Sequence, residues 1–221
     1  MLMLGIDDAG RGPVIGPMVL AGCLMTEEVE KKLERMGVTD SKKLTQRRRE
    51  YFEEIIKKEC ETFEIVLFYP DEIDGSNGDG IKLNELEGIG CSKIINEINK
   101  GFTKIKVLID CPSPVISKWQ DFVKTKINNL SNLEISCEHK ADVNYTCVAA
   151  ASILAKCMRE KEMDKLKEIY GKEIGSGYCS DPATKNFLEK NVRKYHDKGI
   201  FRKTWITWRN ANAYFNQTKL N

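Results

Sequence analysis

The chain has 221 residues, of which 41% are hydrophobic and 31% charged, a composition typical of globular proteins and not of disordered ones. Its 35 Lys and Arg against 33 Asp and Glu leave a net charge of +2, so only local clusters could attract a polyanion. The eight cysteines form no CxxC pair, which disfavours a zinc site built from paired thiolates. No run has the ~20 apolar residues of a membrane span, which disfavours a membrane protein and predicts a cytoplasmic location.

Apolar runs and turn signals predict alternating strands and helices. Strands are predicted at residues 1–7, 14–25, 62–69, 104–110 and 133–139. Helices are predicted at residues 27–36, 45–59, 83–99 and 142–171 and from Asp181 onward. The Gly-rich segment 74–80 is predicted to be a mobile turn.

This order predicts an α/β fold with a mixed sheet flanked by helices. A Gly/Pro turn joins the first two strands as an antiparallel hairpin, and crossover helices feed the later strands. We divide the chain into an α/β domain at residues 1–170 and a C-terminal helical portion at residues 171–221.

Four aspartates lie at the boundaries of predicted elements. Asp7 and Asp8 end the first strand, Asp110 ends the fourth, and Asp142 opens the long helix. If the first and fourth strands are parallel neighbours, Asp7 and Asp110 face each other at the carboxyl ends of the sheet, where sites collect.

Asp7 and Asp8 are predicted to converge only if the strand breaks at Asp8, because successive side chains of a regular strand point to opposite faces. Carboxylates brought together need a cation to offset their repulsion, and Mg²⁺ or Mn²⁺ suits an all-oxygen site. The alternative is that each aspartate is an ordinary turn or cap residue.

The first strand is followed by Gly10, Arg11 and Gly12. The two glycines let backbone come close to a ligand, and the Arg11 guanidinium presents a planar fork suited to phosphate. A plain turn is the alternative interpretation.

Basic residues cluster in two further places. Ser41, Lys42 and Lys43 offer a hydroxyl and two cations at the start of a basic stretch, and residues 193–215 interleave cations with aromatic rings. Such patterns suit a nucleic-acid surface. They also suit a solvated helix face and a helical cap with buried rings.

Together these segments resemble the type 2 ribonucleases H, in their archaeal-like, single-chain form. The matching stretches run in the family's order over residues 4 to about 184: GIDDAGRGPVIGPMV, TDSKKL, VLIDCPSP, KADVNYTCVAAASILAKCMRE and GSGYCSDPAT. The resemblance implies a ribonuclease H-like fold, with residues 1–170 as the catalytic domain and residues 171–221 as a helical substrate-binding portion.

The resemblance also implies the roles of site residues. Those matching the acidic positions that hold two Mg²⁺ or Mn²⁺ ions are Asp7, Asp8, Asp110 and Asp142. Those matching or expected at substrate-binding positions are Gly10, Arg11, Gly12, Ser41, Lys42, Lys43 and Tyr178. The glycine turn corresponds to the one that recognises a ribonucleotide 2′-hydroxyl, and the tyrosine to the one that packs at an RNA–DNA junction.

Two positions depart from the family pattern. Asp8 stands where the family usually has Glu, which shortens one carboxylate by a methylene and affects metal geometry and the choice between Mg²⁺ and Mn²⁺. Cys179 stands where the family often has Pro after the tyrosine, a change expected to alter the loop little.

The expected function is a metal-dependent endonuclease that acts as a monomer in DNA replication and repair. It would cleave the RNA strand of RNA–DNA hybrids, and single ribonucleotides embedded in duplex DNA, leaving 5′-phosphate and 3′-hydroxyl ends. One alternative is another two-metal nuclease of related fold, a junction resolvase or strand transferase, which would cleave branched DNA. The other is a noncatalytic nucleic-acid-binding module, which would bind without a metal-dependent product.

Overall fold

The computed structural model describes the backbone of residues 1–217 and the side chains through residue 213. The last four residues of the predicted portion 171–221 therefore lie outside the described residues. The strands are β1 Leu2–Ala9, β2 Met18–Thr26, β3 Thr62–Phe68, β4 Ile105–Asp110 and β5 Leu133–Glu138. The helices are α1 Glu27–Met36, α2 Gln46–Glu59, α3 Pro70–Gly78, α4 Leu83–Ile98, α5 Ile116–Lys124, α6 Ala141–Asn144, α7 Thr146–Tyr170, α8 Pro182–Asn191 and α9 Ile206–Gln217.

The described strands form one five-stranded sheet in the order β3-β2-β1-β4-β5. β1 pairs with β2 in antiparallel register and with β4 in parallel register, and β4 pairs with β5 in parallel register. The prediction of a mixed α/β sheet, with a hairpin followed by crossover strands, is confirmed. β1 is a central strand, which explains its nearly continuous apolar sequence.

The chain forms two compact units, each discontinuous in sequence. The first unit comprises Met1–Ala9, Val19–Val66 and Leu83–Met158, and the second comprises Gly10–Met18, Leu67–Lys82 and the chain from Arg159 onward. The second unit has its own apolar core, formed by Val14, Ile15, Met163, Ile174, Phe187, Leu188, Val192, Ile200, Phe201 and Trp208. The division predicted at residue 170, with its assignment of roles, stays a prediction.

The Gly-rich segment predicted to be a mobile turn is helical through Gly78, so that prediction is wrong. Pro70 opens α3 in the first turn, where its fixed φ suits a helix. Glu72 accepts a 2.8 Å hydrogen bond from the backbone N–H of Tyr69, and Ile73 is buried. Capping and burial therefore outweigh the weak helix propensity of the glycines.

The long helix predicted at residues 142–171 is interrupted. Lys140 adopts a left-handed φ of 59° before the short helix α6, and Tyr145 is extended before α7 begins. The Tyr145 hydroxyl donates a 2.9 Å hydrogen bond to Glu138, which provides a contact at this break. Helix α5 was not predicted; its signal is the apolar pair Trp119 and Val123, four residues apart and buried.

Close packing of β1 against α7 depends on a glycine. A Cβ on Gly5 would lie 2.2 Å from the carbonyl carbon of Cys147 and 2.4 Å from the backbone nitrogen of Val148. The start of α7 that meets β1 is small and buried, from Val148 through Ala151. Within residues 1–217, no helix is both long and apolar enough to cross a membrane.

Gly5→Ala should destabilise the protein by about 3 kcal/mol or more, because the added methyl would overlap main-chain atoms that cannot rotate away. Gly75→Ala is the matched control, since a Cβ there meets nothing within 4 Å inside α3; it should stabilise by about 0.5–1 kcal/mol. Chemical denaturation of both variants measures the difference. Equal stability of the two would contradict the packing described.

Candidate active site

Asp7 and Asp110 lie at the carboxyl ends of two paired parallel strands. The register of β1 and β4 pairs Ile6 with Ile109, and Asp7 and Asp110 are the residues that directly follow this pair. The condition stated from the sequence, that the first and fourth strands are parallel neighbours, is met. The side chain of Asp7 is buried, whereas that of Asp110 is partly exposed.

β1 does not break at Asp8, contrary to the sequence-based expectation. Its pairing with β2 continues through Asp8 and Ala9, opposite Leu20 and Val19. Asp8 nevertheless interacts with its neighbour: its backbone N–H donates a 2.7 Å hydrogen bond to Asp7 Oδ1. The strand therefore runs on past both aspartates, and this hydrogen bond joins the Asp8 backbone, not its carboxylate, to Asp7.

The buried carboxyl of Asp7 is poorly suited to carry a charge by itself. Burial raises its pKa well above the usual value, and the neighbouring charges of Asp8 and Asp110 raise it further. A hydrogen bond from Ser152 opposes this increase. At neutral pH an ionised Asp7 therefore lowers the stability of the folded chain unless a cation compensates.

The other two aspartates extend the same electrostatic group. Burial raises the pKa of Asp110, and the charge of Asp142 adds to the effect. Asp110 accepts a 2.8 Å hydrogen bond from the backbone N–H of Ala141, which ties the start of α6 to the end of β4. Asp142 follows Ala141 in α6, so the hydrogen bond between Ala141 and Asp110 also positions the backbone of Asp142. The side chain of Asp142 is buried, with 4% of its surface exposed.

Lys42 brings a cation to these carboxylates. Its Nζ lies 3.7 Å from Asp142 Oδ2 while its side chain stays 75% exposed. Partial burial lowers the pKa of Lys42, but the nearby carboxylates, Asp142 foremost, outweigh this and raise it. Lys43 is exposed, and its predicted contact with substrate stays a prediction.

Ser41 lies inside the first unit with no exposed surface. Its hydroxyl shares a 2.7 Å hydrogen bond with Ser152, and Lys156 Nζ donates to it. The substrate contact predicted for Ser41 stays a prediction. Sequence reasoning missed Ser152 and Lys156; the available signal was two polar residues four apart in an otherwise apolar helix segment.

The donor set suits a hard divalent ion. Four carboxylates linked by mutual repulsion supply only oxygen ligands, which Mg²⁺ and Mn²⁺ prefer, in a position where added positive charge is favourable. Among residues 1–217, however, no three His, Cys, Asp or Glu side chains already stand in an arrangement that could hold a metal ion. The residue types therefore fit the ions, while binding would require the side chains to adjust.

The glycine turn belongs to the second unit. Gly10 has a left-handed φ of 81°, and a Cβ there would lie 2.5 Å from the Arg159 side chain and 2.7 Å from the Pro17 carbonyl oxygen. Gly12 is exposed, and a Cβ there would meet no atom within 4 Å. The folded chain itself therefore requires the first glycine but not the second.

Tyr178 is held in an ordered loop of the second unit with 41% of its surface exposed. The Arg159 guanidinium lies 4.8 Å from its ring centroid and donates to the Ser176 carbonyl at 2.9 Å. Hydrogen bonds from the hydroxyl and N–H of Ser176 lower the pKa of Asp181 to about 2. An aromatic ring is thus presented at the surface on a braced loop.

Asp7→Asn should raise the unfolding midpoint at pH 7 in a chelating buffer. Since the folded state raises the pKa above 3.8, ionised Asp7 destabilises the fold progressively as pH rises past about 4. The gain from Asn should therefore shrink between pH 7 and pH 4. Asp121→Asn, at an exposed position of α5, is the control and should change stability by less than about 0.5 kcal/mol. An unfolding midpoint of Asp7→Asn below that of the wild type at pH 7 would contradict the argument.

Comparison with known proteins agrees with this fold. Residues 4–208 match the sequence family described as Ribonuclease HII. Ribonuclease HII from Methanococcus maripaludis strain C7 is 41% identical over 222 residues, which covers 99% of this chain and 90% of that relative.

Two solved structures share the architecture at 35% identity. The crystal structure of ribonuclease H2 from Pyrococcus horikoshii OT3 has a TM-score of 0.87 and covers 98% of this chain and 99% of its own. The PCNA:RNase HII complex from Archaeoglobus fulgidus contains a chain with a TM-score of 0.81, covering 93% of this chain and 95% of its own. The ribonuclease H-like fold predicted from the sequence is confirmed. The chain belongs to the ribonuclease HII family and is a ribonuclease H, an endonuclease that hydrolyses RNA in RNA–DNA hybrids.

Proposed function

We propose that the chain cleaves both the RNA strand of hybrids and single ribonucleotides embedded in duplex DNA, leaving 5′-phosphate and 3′-hydroxyl ends. Two Mg²⁺ or Mn²⁺ ions would be held by Asp7, Asp8, Asp110 and Asp142. The observation that carries the proposal is the pairing of β1 with β4, which places Asp7 and Asp110 at adjacent strand ends. Their pKa values, raised by burial and mutual repulsion, support a role for cations there.

Bound ions would activate the attacking water and neutralise the leaving 3′-oxygen. The chain's own residues prepare this chemistry by fixing the carboxylates. The N–H of Asp8 and the side chain of Ser152 restrain Asp7, and the N–H of Ala141 restrains Asp110. Such support matters because small displacements of catalytic groups are costly to the rate.

Lys42 would serve the substrate rather than the carboxylates alone. Its Nζ is near Asp142 yet remains largely exposed, so a phosphate could approach the same ammonium group. A lysine here also lowers the local negative potential that would repel a polyanion. Asp8, one methylene shorter than the glutamate usual in the family, would influence which of the two ions is preferred.

Recognition of the ribonucleotide would fall to the second unit. The turn Gly10, Arg11 and Gly12 would contact the 2′-hydroxyl, and Tyr178 would pack against the sugar or base at the RNA–DNA junction. The open space beside Gly12 supports this role, because a ligand could approach the backbone there. The 2′-hydroxyl is the group that distinguishes RNA from DNA at a single position.

We propose that the chain acts as a monomer, because every residue assigned to catalysis and recognition comes from one chain. The archaeal relative found with PCNA indicates that a partner can be added to such an enzyme. The cytoplasmic location stays a prediction.

The test is cleavage of a duplex that carries one ribonucleotide, with an otherwise identical all-DNA duplex as the substrate control. The wild-type chain should cut only the ribonucleotide duplex, and only with a divalent cation. The cut should break the bond between phosphorus and the 3′-oxygen, so that the products carry a 3′-hydroxyl and a 5′-phosphate. Asp7→Asn should abolish cutting while duplex affinity stays within about threefold, and Asp121→Asn should keep full activity. Retained turnover by Asp7→Asn would overturn the assignment of that residue.

Gly12→Ala should reduce kcat/KM on the ribonucleotide duplex by about tenfold or more, since a methyl group would occupy the space that the sugar needs. The unfolding midpoint should stay within about 0.5 kcal/mol of wild type because no protein atom is displaced. Gly75→Ala, also in the second unit, should retain wild-type activity. Unchanged activity of Gly12→Ala would show that substrate does not approach this turn closely.

A further inference from the structure

A buried arginine of the same unit holds the carbonyl groups of the glycine turn. Arg202 has no exposed surface. Its Nη2 donates to the Gly10 carbonyl at 2.6 Å, and its Nη1 donates to the Arg11 carbonyl at 2.8 Å. Nε and Nη2 both donate to the Gly16 carbonyl, at 3.1 and 2.9 Å. One guanidinium therefore joins the two ends of the loop that begins at Gly10.

The third carbonyl of the turn is held by a nearby aromatic residue. Trp205 Nε1 donates to the Gly12 carbonyl at 3.1 Å. The Arg202 guanidinium lies 5.0 Å from the Trp205 ring centroid, so the two side chains support each other. Cys179 Sγ also approaches the Gly12 carbonyl, at 3.7 Å, so the cysteine that replaces the family's usual proline contacts this turn.

These contacts fix the direction of the backbone N–H groups. In a trans peptide the carbonyl of one residue and the N–H of the next point in opposite directions, and the described residues contain no cis peptide bond. Because the carbonyls of Gly10 and Arg11 point to Arg202, the N–H groups of Arg11 and Gly12 point away from it. The Gly12 carbonyl is held by Trp205, but this sets the direction of no further N–H group, because the next residue, Pro13, has none.

Holding the turn this way is costly, which indicates a purpose beyond closing a loop. Burying a guanidinium costs the free energy of its hydration, and hydrogen bonds to neutral carbonyls compensate for only part of that cost. Gly10 must also stay in a left-handed conformation. A flexible turn could satisfy its carbonyls with water, but its N–H groups would then have to be ordered when a ligand binds.

We propose that Arg202 and Trp205 are positioning residues for ribonucleotide recognition, which hold the N–H groups of Arg11 and Gly12 in place to meet the 2′-hydroxyl. This inference rests on the recognition role proposed for the turn. Neither side chain contacts the substrate; both act through the carbonyls that they fix. Their loss lowers the preference for a ribonucleotide without lowering affinity for DNA in general.

The experiment measures affinity for two duplexes that differ by a single 2′-hydroxyl, by fluorescence anisotropy. Every variant also carries Asp7→Asn so that neither duplex is cut. Arg202→Lys keeps the charge but loses the forked donor set, and should reduce the affinity ratio by about tenfold. Trp205→Phe loses only the Nε1 donor and should reduce it by about threefold.

Trp208→Phe is the matched control. Its Nε1 is buried without a hydrogen-bond partner among the described atoms, so the same chemical change should leave the affinity ratio intact. All three variants should bind the all-DNA duplex as the parent does. If Arg202→Lys fails to fold, as judged by thermal unfolding, the comparison of Trp205→Phe with Trp208→Phe decides.

The outcomes separate the two proposals. A parent protein that binds both duplexes equally would refute the recognition role of the turn, and the positioning role with it. A parent that prefers the ribonucleotide, with folded Arg202→Lys and Trp205→Phe variants that keep the full preference, would refute the positioning role alone. A lower midpoint with an unchanged ratio would show that both residues serve stability only.

Discussion

Burial of the Asp7 carboxylate at the end of the central strand is the constraint on which the rest of the site depends. β1 lies between β2 and β4 and packs against α7 through Gly5, and the side chain of Asp7 has little access to water. The charge on Asp7 is then unfavourable, and Asp8 and Asp110 increase that cost. A fold selected for stability alone would place an apolar residue here. The arrangement would become favourable if cations supplied the missing charge, as we propose, and this would tie the architecture of the sheet to metal-dependent hydrolysis.

The two units support their functional groups by different means. In the first unit, strand pairing and main-chain N–H groups hold the carboxylates, so regular secondary structure sets their spacing. In the second unit, the turn for which we propose a recognition role is irregular, and the buried side chain of Arg202 supplies the rigidity that a sheet would otherwise give. Both solutions preorganise polar groups before substrate arrives, which reduces the entropy that binding must overcome. Hydrolysis and discrimination can therefore be tested by separate variants.

The sequence could predict features that are encoded locally. An apolar run ending in aspartate identified the end of β4 and placed that of β1 within about two residues, and Thr26 as an N-cap identified the start of α1. It could not predict contacts between distant segments. The partners of Arg202 lie 186 to 192 residues away, and nothing near Ser41 indicates its bond to Ser152. Local propensity was wrong in two places: the glycines of α3 are helical, and the helix predicted from Asp142 breaks at Tyr145.

The most direct test of this account is the effect of Mg²⁺ on thermal unfolding in the absence of nucleic acid. If the carboxylates form a cation site, the midpoint of the wild-type chain should rise with Mg²⁺ concentration, because the ion binds the folded state preferentially. Asp110→Asn should lose most of that rise, whereas Asp121→Asn, on the exposed surface of α5, should keep it. A wild-type midpoint that does not respond to Mg²⁺, or an equal response in Asp110→Asn, would contradict the claim that these acids are placed together to hold cations.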